Sequence, residues 1–487
     1  MIPQSQKGSW LAGWVRVLLP VLMSGILYYY SNGLHGFRPL MWIAPLPLLL
    51  AVPHLSGRAT LISSLLAYLL GSMDLVEYLA KNLPGPAVII VLLIPSTVFA
   101  FCILGFRKLC LYRGAFEALF IFPFAWTSYE YLISTISPNG TAFSISYTQA
   151  DFIPIIQIAA LTGIWGITFL LALVPAGIAL CWHYRNNRKR FLRVGATTLI
   201  LLLAALGFGS IRSSNGLSET KIKVGLVASD SSARYFATTN HDVAFRIINQ
   251  YVSKIRDISR RGARIIVLPE KFVGLTHEYE DTVLATFRKT ATDNNVAIVA
   301  GFNTIGPDLA RNHAIVFSVD GKIAADYDKV FLIPGIEWNY TPGNKTSEFV
   351  FSELRSGIVI CKDMDFPNWI RKYGKSDVRI MFVPAWDFVS DGWLHSRMAV
   401  MRGVENGFSI VRSASEGLLT VSDAYGRVIA DEQSSAAPIQ SLIGDISPGP
   451  GMTLYSKTGD WFAWISVFGL LTTLCMLVWR RRKPTNL

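Results

Sequence analysis

The sequence predicts an α-helical transmembrane bundle joined to a layered α/β domain. Hydrophobic residues make up 51% of the chain and charged residues 16%, and the mean hydropathy is +0.38. An average soluble protein has roughly 25% charged residues. Long apolar runs occupy both ends of the chain, whereas the centre is polar and of mixed charge. These observations divide the chain into a seven-helix membrane domain (1–211), an α/β domain (212–458) and a last membrane helix with a basic tail (459–487).

Eight apolar runs approach the roughly 20 residues that a helix needs to span a bilayer. The first run is predicted to be a retained membrane helix rather than a cleaved signal peptide, because more apolar runs follow and no small-residue cleavage site is present. The second and third runs are short or interrupted by Pro and Gly. The runs lie at residues 11–30, 39–55, 59–79, 86–106, 115–134, 154–182, 192–211 and 461–479.

Basic residues are concentrated in alternate short loops between these runs. They lie at Arg58, at 107–113, at 185–193 and at 480–483, whereas the intervening loops contain few Lys or Arg. By the positive-inside rule, these loops and both termini are cytoplasmic. Seven crossings then place residues 212–458 on the outer face. The net charge of +12 lies mainly in the membrane part, so it does not indicate nucleic-acid binding.

The central region alternates predicted strands with amphipathic helices, which favours a layered α/β domain. A hairpin turn is predicted at Asp320-Gly321 and a helix C-cap at Asn406-Gly407. Helices are predicted at 241–261 and 394–406. Strands are predicted at 222–229, 265–268, 297–302, 314–319, 323–327, 357–360, 379–384, 409–412 and 418–422.

Three residues suited to acyl transfer stand at the ends of predicted strands, namely Glu270, Lys329 and Cys361. A thiol can attack a carbonyl, a carboxylate can take the thiol proton, and an ammonium can stabilise the oxyanion. Cys361 is the only cysteine between residues 212 and 458, so it has no disulfide partner within that domain. A lone cysteine in a strand is otherwise a small core residue. Its company with Glu270 and Lys329 favours a nucleophile.

Other chemistries find little support in the sequence. The seven histidines are scattered without the spacing of a metal site. There is no nucleotide-binding loop, and the apolar runs carry few charges of the kind expected in a transporter. We therefore expect no metal and no cofactor.

The order Leu-Pro-Glu270, Lys329, Cys361 resembles the nitrilase (carbon–nitrogen hydrolase) superfamily. That resemblance implies an α-β-β-α sandwich for the α/β domain. A nitrilase-like domain between seven membrane helices and one more is similar to the apolipoprotein N-acyltransferase family. Further similar segments are Gly36–Pro47, Trp126–Glu130, Gln157–Gly163 and Arg402–Gly407.

The resemblance implies an acyltransferase in a bacterial inner membrane, with the catalytic domain on the periplasmic face. The donor would be a phospholipid and the acceptor the amino-terminal amine of a diacylglyceryl-cysteine lipoprotein, and the chain would act as a monomer. Glu270 would be the general base, and Lys329 with the backbone N–H of Lys362 would stabilise the oxyanion. Glu337, eight residues after Lys329, would orient that lysine.

Alternatives remain open for the supporting residues. Glu337 is either this orienting group or a solvated surface carboxylate. Lys362 either favours the thiolate of Cys361 or faces solvent, and Asp363 either shapes a turn or takes part in catalysis. Glu405 either braces the site or pairs with a surface arginine.

Two rival functions also remain, a membrane-anchored amidase that uses water and a non-catalytic lipid-binding relative. The chain departs from the family at positions predicted to face the substrate. Lys362 replaces an aromatic residue, Ser146 replaces a glycine, and Ala228–Asp230 replaces Gln-Gly-Asn.

The charge pattern makes the orientation testable with a reporter that is active only outside the cytoplasmic membrane. Fused after residue 458, the reporter should be active, and fused at Leu487 it should be silent, because the basic C-terminal tail is expected inside. The opposite pattern would overturn the predicted orientation.

Overall fold

The computed structural model describes residues 4–32, 34, 37–112, 114–216, 219–306 and 310–482, and it contains both predicted parts. His35, Gly36, Arg113 and Lys483, which entered the sequence predictions, lie outside the described residues. Within the described chain, five segments are long and apolar enough to cross a membrane. They are Gly57–Lys81, Gly85–Leu111, Trp165–His183, Arg188–Ser214 and Trp461–Val478.

The membrane part precedes the α/β domain, except for its last helix. Its helices are α1 Gln4–Ser31, α2 Leu46–Ala51, α3 Gly57–Gly71, α4 Val76–Asn82, α5 Gly85–Leu111, α6 Ala115–Ile136, α7 Ile153–Ile156, α8 Ala159–Thr162, α9 Trp165–His183 and α10 Arg188–Ser214. A further helix, Trp461–Arg482, follows the α/β domain and packs mainly on α6. It extends through three of the four residues that were predicted as a basic tail.

The predicted helix at 39–55 is wrong as a continuous helix. The segment consists of a 3₁₀ helix at Arg38–Trp42, the short α2, and a second 3₁₀ helix at Val52–His54. Four prolines lie between residues 39 and 53. Proline lacks the N–H that a helix interior needs, so the run cannot form one long helix.

This broken segment nevertheless crosses the bundle. Gly71, at the end of α3, lies directly against Tyr28 near the end of α1, so the two helices run in the same direction. The chain must therefore return between them. It does so from Phe37, which is hydrogen-bonded to Tyr30, to Leu55, whose carbonyl accepts from Arg107 at 2.7 Å.

The predicted helix at 154–182 is also broken, into α7, α8 and α9. The chain turns at Gly163, where φ is +66° and a Cβ atom would lie 2.6 Å from the ring of Tyr455. Only glycine adopts this conformation readily. The break places α7 and α8 under the α/β domain, where Gln157 donates to the carbonyl of Tyr425 at 2.7 Å.

The α/β domain is the sandwich that the resemblance implied, with two sheets packed face to face. Its strands are β1 Ile222–Ala228, β2 Ile265–Val267, β3 Val273–Thr276, β4 Ala297–Ile305, β5 Arg311–Phe317, β6 Ile323–Asp328, β7 Ser347–Phe351, β8 Leu354–Ile358, β9 Ile380–Trp386, β10 Ser409–Ser415, β11 Leu418–Ser422, β12 Val428–Gln433 and β13 Gln440–Ile446. The first sheet has the order β13-β1-β2-β4-β5-β6, with β3 beside β4, and the second has the order β12-β11-β10-β9-β8-β7.

Helices cover the outer faces of both sheets. The helices of the α/β domain are α11 Asp230–Ala233, α12 His241–Arg260, α13 Glu280–Asp293, α14 Pro367–Lys375, α15 Gly392–Asn406 and α16 Leu454–Thr458, so the final membrane helix is α17. The apolar face of α12 packs with α13 against the first sheet. The helices α14 and α15 lie against the second sheet, and α15 ends at Gly407 in the left-handed conformation, as predicted.

Helix α15 joins the two parts of the protein. Its residues Leu394, Met398, Met401 and Val404 belong to the same apolar core as the membrane helices. Its Ala399 belongs instead to the apolar core of the α/β domain, where α15 packs on the second sheet. The α/β domain is therefore packed on the bundle and not merely tethered to it.

Four strands escaped the sequence predictions, namely β3, β7, β12 and β13. Strand β12 is polar and mostly exposed, and the others lack a clear alternation of apolar residues. Such strands form because they pair with neighbours that are distant in sequence, as β13 does with β1. Tertiary pairing of this kind is invisible to local pattern.

The loop after α6 is seated on the α/β domain by Gly140. Its φ is +50°, and a Cβ atom there would lie 2.3 Å from the backbone carbonyl oxygen of Asp365. The neighbouring Thr141 donates its backbone N–H to the same oxygen at 2.9 Å. Backbone atoms cannot move aside as a flexible side chain can.

Gly140→Ala should therefore weaken the contact between the membrane part and the domain, destabilising the fold by about 1–3 kcal/mol. Thermal unfolding in detergent should show a midpoint several degrees lower. Gly85→Ala is the matched control, because nothing lies within 4 Å of a Cβ atom there. Equal midpoints for the two variants would contradict this account of the interface.

Candidate active site

The three strand-end residues predicted from sequence lie at one end of the sandwich. Glu270 follows β2, Lys329 follows β6, and Cys361 follows β8. Lys329 donates from Nζ to Glu270 Oε1 at 2.8 Å. All three are buried, with exposed fractions of 2%, 0% and 7%. The two sheets thus bring a carboxylate, an ammonium and a thiol into one enclosed site.

Glu337 completes the surroundings of Lys329. Its Oε2 accepts from Lys329 Nζ at 2.9 Å and from the backbone N–H of Ile333 at 2.9 Å. Only 1% of the residue is exposed, so the alternative of a solvated surface carboxylate is wrong. Lys329 is therefore held between two carboxylates.

The charges of this group stay separated. Burial lowers the pKa of Lys329, but Glu270 and Glu337 more than offset this and hold that pKa well above its usual range. Burial raises the pKa of Glu337, yet Lys329 and Lys271 bring it to about 2. Lys329 is thus an ammonium at physiological pH. It can stabilise negative charge but cannot accept a proton.

Asn312 on β5 links the two carboxylates and was missed by the sequence analysis. Its Nδ2 donates to Glu270 Oε1 at 2.6 Å and to Glu337 Oε1 at 2.7 Å. Its backbone carbonyl accepts from the backbone N–H of Lys329 at 2.9 Å. Asn312 stands between Arg311 and His313 at the start of β5, outside the strand predicted at 314–319, so local pattern gave no signal for its role.

Cys361 begins a 3₁₀ turn, Cys361–Asp365, with φ at +41°. Non-glycine residues rarely adopt this conformation, and it directs the side chain into the site. The thiol donates to the carbonyl of Trp386 at 3.3 Å. Burial and the charge of Glu270 raise the pKa of Cys361 well above its usual range, and Lys329 offsets only part of this. Cys361 is therefore a thiol at rest and requires a base.

Glu270 has an oxygen free for that role. Its Oε1 accepts from Asn312 and Lys329, whereas its buried Oε2 accepts no hydrogen bond from any residue that the structure describes. Leaving a buried carboxylate oxygen without a donor is costly. The arrangement suits an oxygen that takes a proton during a reaction.

Asp363 fixes the turn of Cys361 to the chain around Lys329. Its Oδ1 accepts from the backbone N–H groups of Val330 and Phe331 at 3.1 and 2.9 Å. Its Oδ2 accepts from the N–H of Ile360 at 3.1 Å and the hydroxyl of Tyr327 at 2.8 Å. These contacts support the turn-shaping alternative for Asp363.

Lys362 is buried, so the alternative that it faces solvent is wrong. It is only 8% exposed, and its Nζ donates to Asn139 of the membrane part at 3.1 Å while lying 3.7 Å from Asp365. It therefore links the turn Cys361–Asp365 to the loop after α6 and does not face solvent.

Glu405 lies at the junction of the α/β domain with the membrane part. Glu405 pairs with Arg402 at 2.9 Å and accepts from the N–H of Ile164 at 2.9 Å, so it braces the junction with the membrane part. Arg402 is fully buried, so a surface pair is wrong. Ser146 and Asp230 are not among the residues that line the cavity at Cys361, although both were expected to face the substrate.

A cavity of about 120 Å³ opens at Cys361 between the two parts of the protein. Its polar lining consists of Asn139, Lys362, Asp365 and His395. Its apolar lining comes from both parts and includes Tyr78, Leu79, Leu83, Phe143, Ile333 and Ile336.

Sequence reasoning also missed several charged residues near the site. Arg412 and Asp387 form a buried bidentate pair at 2.9 and 2.5 Å. His395 lies 3.1 Å from Asp391, and this neighbour raises the pKa of His395 well above its usual range despite burial. Lys271, directly after Glu270, contacts Glu337 at 2.6 Å.

Known proteins resemble the chain along nearly its whole length. Residues 24–177 match the family model of the apolipoprotein N-acyltransferase N-terminal domain, and residues 239–437 match that of carbon-nitrogen hydrolases. The apolipoprotein N-acyltransferase of Geobacter metallireducens is 25% identical, with 96% of each chain covered. That of Thermotoga maritima is 24% identical, with 99% of this chain and 97% of the relative covered.

Among solved structures, an amidase from Nesterenkonia sp. aligns with a TM-score of 0.42 and 16% identity. The alignment covers 52% of this chain and 98% of the amidase.

Asp363→Asn tests the link between the turn Cys361–Asp365 and the chain that follows Lys329. The amide cannot accept from Ile360 N–H while it also serves Val330 and Phe331, so a buried donor loses its partner, at about 1–3 kcal/mol. We expect a lower thermal midpoint and slower alkylation of Cys361. Asp445→Asn, at a half-exposed surface ion pair, is the control and should change little. Unchanged alkylation in Asp363→Asn would contradict the anchoring role.

Proposed function

We propose that this chain, which belongs to the apolipoprotein N-acyltransferase family, moves a fatty acyl group from a phospholipid to the amino-terminal amine of a diacylglyceryl-cysteine lipoprotein. The acyl group would be carried as a thioester on Cys361. One observation carries the proposal, namely that the buried group of Glu270, Lys329 and Glu337 adjoins a thiol at an apolar cavity. Both the membrane part and the α/β domain form that cavity.

In the first half-reaction, Glu270 Oε2 takes the proton of the Cys361 thiol, and the sulfur attacks the ester carbonyl carbon of the phospholipid. Lys329 Nζ and the backbone N–H of Lys362 would stabilise the negative oxygen of the tetrahedral intermediate. The bond from carbon to the glycerol oxygen then breaks. The lysophospholipid leaves with the proton that Glu270 held, and the acyl group stays on sulfur.

In the second half-reaction, the neutral amine of the lipoprotein attacks the thioester carbon. Glu270 receives the proton that the nitrogen gives up, and the carbon–sulfur bond breaks as the amide forms. The proton returns from Glu270 to the sulfur of Cys361. Glu337 remains ionised throughout and holds Lys329 in place. Because one base serves both halves, Glu270→Gln should slow both.

The surroundings of Cys361 favour an amine over water as the second acceptor. The thiol is 7% exposed, and the cavity is lined mainly by apolar side chains. Scarce water favours aminolysis of a thioester over its hydrolysis. The amidase and the non-catalytic lipid binder remain the rival functions, and they differ from the proposal in their products.

The membrane part supports the choice of a lipid donor. The apolar lining of the cavity includes Tyr78, Leu79 and Leu83, which belong to or follow α4 in the bundle. A lipid ester could therefore reach Cys361 without leaving the bilayer. We place this bacterial membrane protein in the inner membrane, with the α/β domain on the periplasmic face, because the basic loops of the sequence favour that orientation.

The test begins with intact mass spectrometry of the purified full chain after incubation with mixed phospholipids. We expect an acyl-sized mass increase on Cys361 that is absent from Cys361→Ala. Replacing the other four cysteines by alanine should leave the adduct in place, because Cys102, Cys110, Cys181 and Cys475 lie in helices of the membrane part. Absence of any adduct on the wild-type chain would favour the lipid-binding alternative.

The acylated protein is then given a diacylated lipopeptide with a free amine, and the same lipopeptide with an acetylated amine as control. N-acylated peptide should form only with the free amine. Free fatty acid released at one rate with both peptides, without N-acylated product, would establish the amidase alternative instead.

A further inference from the structure

The residue after the proposed base, Lys271, is a second buried ammonium in the site. It is 3% exposed and has φ at +47°, which no β-strand or α-helix accommodates. This backbone conformation turns its side chain back toward the carboxylates. A lysine is seldom buried without a specific charge partner.

Lys271 has such a partner. Its Nζ donates to Glu337 Oε1 at 2.6 Å and lies 3.9 Å from Glu270 Oε1. The rings of Phe236, Tyr340 and Trp386 surround the same ammonium, with centroids 5.5, 5.2 and 5.3 Å away. Aromatic faces attract a cation and hold it in position.

The charges of the site balance only when Lys271 is included. Two carboxylates, Glu270 and Glu337, face two ammoniums, Lys329 and Lys271, while the neutral amide of Asn312 donates to both carboxylates. Two carboxylates that share neighbours and one ammonium tend to retain a proton between them. A retained proton would block the role of Glu270 as a base.

We propose that Lys271 is a positioning residue that keeps both carboxylates ionised. Glu337 then stays paired with the two lysines, and Glu270 remains available to take the thiol proton. The proposal rests on the proposed function in one respect, the identity of Glu270 as the base. Lys271 acts through Glu337, and its aromatic surroundings keep it from swinging onto Glu270 itself. Lys271 Nζ accordingly lies closer to Glu337 Oε1, at 2.6 Å, than to Glu270 Oε1, at 3.9 Å.

Other titratable groups that face the site do not supply this charge. Tyr340 is neutral, because burial and the two carboxylates raise its pKa. The charges of Asp387 and Arg412 act on Cys361 but compensate each other in a bidentate pair. Lys329 already serves both carboxylates. Lys271 is therefore the cation on which the balance depends.

The test is the pH dependence of Cys361 alkylation by iodoacetamide, followed by mass spectrometry of the Cys361 peptide from the full-length protein in detergent. Alkylation needs no lipid, so it reports on the base and the thiol whatever the natural substrate is. In Lys271→Gln, the acidic limb should move to higher pH by about one unit, since removing a cation favours the protonated carboxylate pair. Below the limb, alkylation should be about tenfold slower than in the wild type, and it should recover at higher pH.

Matched variants separate charge from structure. Glu337→Gln should move the limb to lower pH, because it removes a negative charge beside Glu270. The double variant Lys271→Gln with Glu337→Gln should return the limb toward the wild-type position, because it removes one charge of each sign. Lys271→Arg should keep the wild-type limb. Lys289→Gln, at an exposed lysine on α13, should change nothing.

Two results would overturn the proposal, a Lys271→Gln profile that is unshifted, and one that is reduced equally at every pH. If Lys271→Gln does not fold, the comparison of Glu337→Gln with the double variant decides, and coincident limbs would overturn the proposal. Normal alkylation profiles without any lipid-derived adduct would instead contradict the acyltransferase function and leave the role of Lys271 intact.

Discussion

The burial of Lys329 between two carboxylates is the constraint on which the rest of the site depends. Removing an ammonium from water costs several kcal/mol, and only close, well-oriented opposite charges repay that cost. Glu270 and Glu337 meet this requirement at 2.8 and 2.9 Å, and Asn312 keeps both of them in place. Three separate stretches of chain must therefore meet at one point before the lysine can be enclosed.

Cys361 is positioned through the same meeting point. Asp363 joins the turn that begins at Cys361 to the two residues after Lys329, so the thiol and the ammonium belong to one hydrogen-bonded unit. The membrane part touches this unit too, through Lys362 with Asn139 and through Thr141 with Asp365. The site is thus completed by both parts of the chain.

Local pattern predicted a layered α/β domain, the membrane helices and the strand-end positions of Glu270, Lys329 and Cys361. The sandwich itself was implied by the family resemblance. Local pattern did not predict Asn312 or Lys271, since their importance arises from strands and loops that meet only in the fold. Prolines announced the interruption at 39–55, but only the parallel packing of α1 and α3 shows that the segment still crosses. The two alternatives for Glu405 could not be separated from sequence, because the burial of Arg402 cannot be read from its neighbours in sequence.

Helix α15 is buried on two sides, and this limits how the α/β domain can exist by itself. Cutting the chain at residues 212 and 458 would expose Leu394, Met398, Met401 and Val404 to water, and these four apolar side chains now pack against the bundle. Contiguous exposed apolar surface promotes association between molecules. The excised domain would therefore be prone to aggregate, because it would carry this apolar face into water.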